Sequence, residues 1–194
     1  MSITERRRRE RADRHALIIA TARNLAEAEG WEAVTTRRLA DLVEYSQPVL
    51  YSHFDGKDAI VRAVAIEGFG ELAAQLRQAR SAGDAPRPAL RAVCSAYLAF
   101  AAEQPALYQA MFVLPIDVTF ASEDTPPALR AAFAELADAL RPFDAHPDLR
   151  AEVTWAALHG LAVLTRGGRV PPDGQQARLD LLVRQIVVRG DERG

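Results

Sequence analysis

Thr35-Thr36-Arg37-Arg38-Leu39-Ala40-Asp41-Leu42-Val43-Glu44-Tyr45-Ser46-Gln47-Pro48-Val49-Leu50-Tyr51-Ser52-His53-Phe54, followed by Lys57, decides how this chain folds. The pattern predicts two short helices joined by a tight turn. Thr35 or Thr36 can cap the first, whose apolar positions Leu39, Ala40, Leu42 and Val43 fall at helical spacing. Ser46 can cap the second, and Pro48 falls in its first turn, where a missing N–H costs no intrahelical bond. This second helix is expected to bury Val49 or Leu50 together with Phe54. Gln47, Tyr51, Ser52 and His53 then point outward. They are hydrogen-bonding groups on a helix slim enough to enter a DNA major groove.

Working outward toward the start of the chain, Arg7 to Glu29 lacks Gly and Pro, and Leu17, Ile18, Thr21, Ala22 and Leu25 share one helical face. Gly30 ends that helix, and Trp31 and Val34 can fold it back onto the short pair, making a three-helix domain. The whole chain has 194 residues and a formal net charge of −2, so charge has to be read locally. Arg6, Arg7, Arg8, Arg9, Arg11 and Arg14 face only Glu5, Glu10 and Asp13, while Arg37, Arg38 and Lys57 bracket the two short helices. Basic groups lie where phosphates would sit. The arginine run has two readings at this level, a solvated tail or a DNA-contacting arm.

Toward the end of the chain, Lys57 and Asp58 open a long helix to about Ala82, with Ile60, Val61, Val64, Phe69, Leu72 and Leu76 on its inner side. It starts so soon after the second short helix that tilting one must move the other. Gly83 to Pro88 reads as a linker. Further helices are expected over 88–103, 105–111, 126 or 127 to 140, 148–166 and 174–189, with a loop over 114–125. The fold class is therefore all-α, with nine helices, no convincing strand and no internal repeat.

Thr-Thr-Arg-x-Leu-Ala at 35–40, Gln-Pro-x-Leu-Tyr-x-His at 47–53 and Lys57 together resemble the helix-turn-helix of the tetracycline-repressor (TetR) family. One departure stands in the turn, where Val43-Glu44 replaces the usual Gly. If the turn requires positive φ, Glu44 carries a strain of about 1 kcal/mol. Trp155, His159 and Gly160 resemble the Trp-x-x-x-His-Gly signature of a subset of TetR-like C-terminal domains. The resemblance implies a DNA-binding domain over 1–56 with an Arg-rich arm, and a ligand-binding and dimerisation domain over 57–194. It implies that Arg37 reads a guanine edge or a phosphate and that Gln47, Pro48 and Val49 meet bases. Thr36, Tyr51, His53 and Lys57 would anchor phosphates, with Arg38, Ser46 and Ser52 completing the interface. The implied partner is a palindromic operator whose half-sites lie about 34 to 36 Å apart.

Val153, Ala156, Ala157, Gly160, Leu161 and Leu164 form one stripe near the chain's end, and Leu179, Leu182, Val183, Ile186 and Val187 form another. Such stripes suit either a four-helix bundle between two copies or the chain's own core. The resemblance implies the homodimer, with Val153, Ala157, Gly160, Leu161, Leu164, Leu179, Leu182 and Ile186 at its interface. Phe69, Tyr97, Phe100, Tyr108, Met111, Phe112, Phe120 and Phe133, with Trp155 and His159, suit an apolar cavity or a filled core. By resemblance they line an inducer site. No charged cluster accompanies them, so a mostly apolar or aromatic molecule is expected.

Other functions find little support. Cys94 is the sole cysteine, which removes intramolecular disulfides and paired metal thiolates. Ser52 and His53 are adjacent on a helix and point about 100° apart, which is unsuited to a nucleophile and its base. No Gly-rich phosphate loop occurs, so neither catalysis, a metal nor a cofactor is expected. No apolar run approaches the roughly 18 residues of a membrane span. The expected setting is the bacterial cytoplasm, and the expected role is a ligand-responsive regulator, with a constitutive regulator or an activator as the alternative.

Overall fold

The computed structural model describes residues 2–116, 118–119 and 122–191, with side chains as far as Val187 in the last helix. Among them are nine α-helices and no strand. They are α1 (Ile3–Glu29), α2 (Thr36–Leu42), α3 (Gln47–Tyr51), α4 (Gly56–Ser81), α5 (Pro86–Glu103), α6 (Pro105–Phe112), α7 (Pro127–Leu140), α8 (Pro147–Arg166) and α9 (Gln175–Asp191). Single 3-10 turns at Trp31–Ala33 and Arg141–Phe143 complete the set. The first helix begins four residues before the expected Arg7 because a capping box starts it. Ser2 Oγ accepts from Glu5 N at 3.2 Å, and the Glu5 carboxylate accepts from Ser2 N at 2.6 Å.

The helices pack as two compact units. The first comprises residues up to 68 together with 104–119. Its core joins Ile18, Ala22 and Leu25 of α1 to Trp31, Leu39, Leu50, Phe54, Ile60, Val64, Leu107 and Met111. Leu17, expected on the inner face of α1, is 45% exposed, and the neighbouring Ile18 and Ile19 take the buried positions. Polar bonds hold α6 to α1. Glu27 caps α6, its carboxylate accepting from Ala106 N at 3.1 Å and Leu107 N at 2.9 Å, where the helix dipole favours an anion. Trp31 Nε1 donates to the Ala106 carbonyl at 2.8 Å, and Arg23 donates to the Gln104 side-chain oxygen. The α6 helix thus packs with residues preceding the boundary expected at 56; a packing unit and a functional domain are different partitions of a chain.

The second unit holds residues 69–103 and those from 120 onward. Phe69, Leu76, Leu90, Val93, Phe100, Leu136, Leu140, Leu158 and Leu179 fill its core. One buried carboxylate, Glu135, accepts from Arg77 Nε at 2.7 Å and from Arg80 Nε and Nη2 at 3.0 and 2.8 Å. Gly83 ends the run after α4, where an added Cβ would lie 2.6 Å from the Ala89 backbone. The expected linker is therefore a tight corner. Pro86, not Pro88, opens α5. Among the described residues no helix is long and apolar enough to cross a membrane.

Candidate nucleic-acid interface

The interface expected from the sequence is built by α2, the turn after it, and α3. Thr35 caps α2, its Oγ1 accepting from Arg38 N at 3.2 Å, while Leu39 and Ala40 anchor the helix inward. The chain then leaves α2 through paired bonds from Glu44 N to the Asp41 carbonyl (3.4 Å) and from Tyr45 N to the Ala40 carbonyl (2.9 Å). This 5→2 and 6→1 pattern requires a left-handed residue between them. Glu44 supplies it at φ 57°, the one non-glycine residue with positive φ among those described. The turn has the geometry glycine favours, without the glycine.

Only Gln47–Tyr51 is helical in α3, and Leu50 and Phe54 pin it to the core while Val49 is half-buried. Ser46 stands at the expected cap position, but its side chain makes no capping bond; its carbonyl instead accepts from Val49 N and Leu50 N. Pro48 has no N–H to cap, and the Val49 and Leu50 N–H groups are already taken by that carbonyl.

The eleven residues expected to meet DNA fall into two groups. Arg37, Ser46, Gln47, Pro48, Tyr51 and Ser52 are exposed, and Arg37 has no intramolecular partner among the described residues. Thr36, Arg38, Val49, His53 and Lys57 are half-buried. Thr36 Oγ1 and Tyr51 Oη lie 3.5 Å apart, so α2 and α3 present these hydroxyls together. Three others of the eleven also have partners within the chain. Arg38 makes a two-pronged pair with Glu29 at 2.8 and 2.5 Å. That hydrogen bond holds the Glu29 carboxyl below its ordinary pKa and raises that of Arg38. Lys57 Nζ donates to the Trp31 carbonyl at 2.6 Å, and Ser52 Oγ to the Val49 carbonyl at 2.6 Å.

Two residues of α1 touch this region: Arg11, one of the arginine run whose sequence reading left tail and arm open, and His15, which that reading passed over. Arg11 Nη2 donates to the Ser52 carbonyl at 3.0 Å, at the end of α3. His15 stacks on Phe54 with ring centroids 4.3 Å apart and lies 6.2 Å from His53. Among these groups His53 Nδ1 is buried without a hydrogen-bond partner. Burial pushes the His53 pKa down, and the nearby Arg11, His15 and Arg14 push it further the same way. Their spacing was available in the sequence, since Arg11 and His15 precede the core residues Ile18 and Ala22 by whole helical turns.

The residues expected to line an inducer site divide between the units. In the second, Phe69, Tyr97 and Phe100 are buried, while Phe133, Trp155 and His159 are half-buried. Trp155 Nε1 donates to Tyr97 Oη at 3.0 Å, and burial lowers the His159 pKa. In the first, Tyr108 and Met111 are buried, and Phe112, half-buried, has its ring 4.7 Å from that of Tyr108. Phe120 lies outside the described residues. Among those described, no group of three or more His, Cys, Asp or Glu is placed to hold a metal.

Of the residues expected at a dimer interface, Val153 is 63% and Leu164 40% exposed, and Ala157, Gly160, Leu161 and Leu182 are half-buried. Nothing lies within 4 Å of where a Gly160 Cβ would stand. Leu179 and Ile186 differ: both are buried within their own unit, because the inner stripe of α9 faces that unit's core. Between α8 and α9 runs a groove of about 450 Å³, lined by Val153, Ala157, Leu182 and Ile186 with Arg150 and Arg184 at its polar side.

Comparison with known proteins places this geometry. Residues 18–64 match the tetR family of bacterial regulatory proteins, and residues 90–186, half of the chain, match the C-terminal domain of tetracycline-repressor-like proteins. An uncharacterised helix-turn-helix-type transcriptional regulator of Mycobacterium tuberculosis is 29% identical over 157 residues, covering 78% of this chain and 69% of that protein. A protein of unknown function from Rhodococcus superposes with a TM-score of 0.73 at 23% identity, over 89% of this chain and 95% of that one. The TetR family transcriptional regulator PfmR of Thermus thermophilus gives 0.63 at 23% identity, over 86% and 94%. At that identity the two structures speak for the fold.

Proposed function

Because the chain belongs to the tetR family of bacterial regulatory proteins, and is a DNA-binding transcriptional regulator rather than an enzyme, we propose that it is a cytoplasmic repressor. It binds a palindromic operator as a homodimer and is released by a small, mostly apolar or aromatic molecule. The observation that carries the DNA roles is the exposed set Arg37, Gln47, Pro48 and Tyr51 on α2 and α3, held on buried Leu39, Leu50 and Phe54. Arg37 and Gln47 read base edges, with Pro48 and Val49 in contact beside them. Thr36, Tyr51, His53 and Lys57 take phosphates, and Arg38, Ser46 and Ser52 border them. Base contacts carry sequence preference, whereas phosphate contacts carry affinity and salt dependence.

The exposed apolar surface of α8, Val153 and Leu164 above all, supports the partner copy. Two-fold symmetry then repeats the reading helix on a second half-site. Inducer bound in the C-terminal part favours a tilt of α4, which starts at Gly56 just beyond α3 and therefore resets the spacing of the two reading helices. Ligand and operator oppose each other's binding by the same factor.

Selection of bound duplexes from a random pool supplies the operator and tests its symmetry. On that operator Gln47→Ala is expected to flatten base preference by about 1 to 3 kcal/mol at the contacted pair. Lys57→Ala is expected to weaken operator and random duplex alike. Equal losses on both duplexes from both variants, or a selected site without a repeat, would overturn the assignment.

A further inference from the structure

The start of α1 is a helix with little packing beneath it. Every residue from Ser2 to Leu17 is exposed, and the first core residue is Ile18. The segment is nevertheless held helical by the Ser2–Glu5 capping box and by Glu10, which pairs with Arg6 at 3.5 Å and Arg14 at 3.8 Å. At 3.6 residues per turn, Arg7, Arg11, Arg14 and Ile18 fall in one line, with Arg8 and His15 on one flank and Glu10, beside Arg14, on the other; Glu5 and Asp13 lie toward the opposite side. The stripe that is apolar over Ile18, Ala22 and Leu25 thus continues as guanidinium groups.

Two contacts show which way that stripe points. Arg11 bonds the Ser52 carbonyl at the end of α3, and His15 stacks on Phe54. The basic face is therefore directed along the side of the first unit that carries the end of the reading helix. Arg7 and Arg8 have no acidic partner among the described residues. An apolar stripe turned basic, rigid, and aimed beside a DNA-reading helix calls for a polyanion as its partner.

Resting on the DNA-binding reading above, we infer that residues 3–17 form a helical arm that lies on backbone phosphates flanking the half-site, with Arg7 and Arg8 making contacts that α2 and α3 do not reach. From Arg7 to Ile18 the arm spans about 16 Å at 1.5 Å per residue. That covers about 5 base pairs of flank at 3.4 Å each.

The test compares two double variants of the full chain that lose equal charge from opposite faces, Arg7→Ala/Arg8→Ala and Arg6→Ala/Arg9→Ala. Alanine favours helix, so both arms keep their conformation, which circular dichroism checks. Affinity for the selected operator is measured against salt, with flanks of about 10 base pairs and with the flanks trimmed. Loss of two phosphate contacts lowers the slope of log affinity against log salt by about 1.8 per subunit. That fall is expected for Arg7→Ala/Arg8→Ala on the flanked duplex only, with the slope for Arg6→Ala/Arg9→Ala unchanged. Equal falls for both pairs would reduce the arm to net charge, and no fall for either would remove it from the interface; each overturns the inference while leaving operator binding intact. A wild-type protein that binds no duplex at low salt overturns the DNA reading itself, and the arm with it.

Discussion

The two units treat their polar groups differently. In the second, buried and half-buried charges are matched: Glu135 is 5% exposed yet accepts three hydrogen bonds, and Asp144 accepts from Arg150 at 2.8 and 2.5 Å. In the first, the residues around α3 leave terms unsatisfied. Arg7, Arg8 and Arg37 lack intramolecular partners among the described residues, His53 Nδ1 is buried and unbonded, and Glu44 holds a left-handed backbone. Buried polar groups are nearly always paired, so His53 Nδ1 is the exception there, while the exposed guanidinium groups of Arg7, Arg8 and Arg37 are left to solvent or to an external anion. The second unit thus holds its inward charges in internal pairs, whereas the first leaves several of its cations unpaired by the chain.

If that contrast is physical, disturbing each side has its own signature. Glu135→Ala is expected to cost the most, about 2 kcal/mol in urea unfolding. That is less than the ~3–5 kcal/mol of a sealed pair, because Arg77 and Arg80 can still reach water. A loss under about 0.5 kcal/mol would show that the matched carboxylate contributes no more than a surface pair. Glu44→Gly works in the opposite direction, stabilising by about 0.5 to 1 kcal/mol, since glycine occupies the left-handed region without steric cost. Unchanged stability would mean that Glu44 is not strained.

A smaller effect follows from His53. Its folded pKa is depressed, so the unfolded chain takes up the proton first, and stability falls as pH drops through the ordinary histidine range near 6.5 and recovers above it. His53→Gln should reduce that pH slope between about pH 5.5 and 7.5, leaving the share due to His159, whose pKa burial also lowers. An identical slope in the variant would detach His53 from the titration.

Most of the fold could be read along the chain because its signals are local. Prolines open α5, α6, α7 and α8 in their first turns, and Gly30 closes α1 at φ 83°. The strain at Glu44 was also a local inference, from a glycine position filled by glutamate, and the backbone has the positive φ it required. Where the reading failed, two alternatives shared one spacing. Leu17 and Ile18 were both expected on the inner face of α1, but neighbours point about 100° apart and only Ile18 is buried. Leu179 and Ile186 have the periodicity of either an interface or a core, and the second unit buried them. Ser46 has the chemistry of a cap, yet its carbonyl, not its side chain, takes the Val49 and Leu50 N–H groups.

What the amino-acid order determined by itself was the all-α class, the succession of helices and the two-helix motif, because caps, prolines and a period of 3.6 act between residues a few positions apart. Which of those residues remain free was decided in three dimensions. Glu29 claims Arg38, the Trp31 carbonyl claims Lys57, and Arg11 reaches 41 residues along the chain to the end of α3. Such pairings depend on where helices distant in sequence come to rest, and hydrogen bonds of this kind leave no periodic trace in the chain.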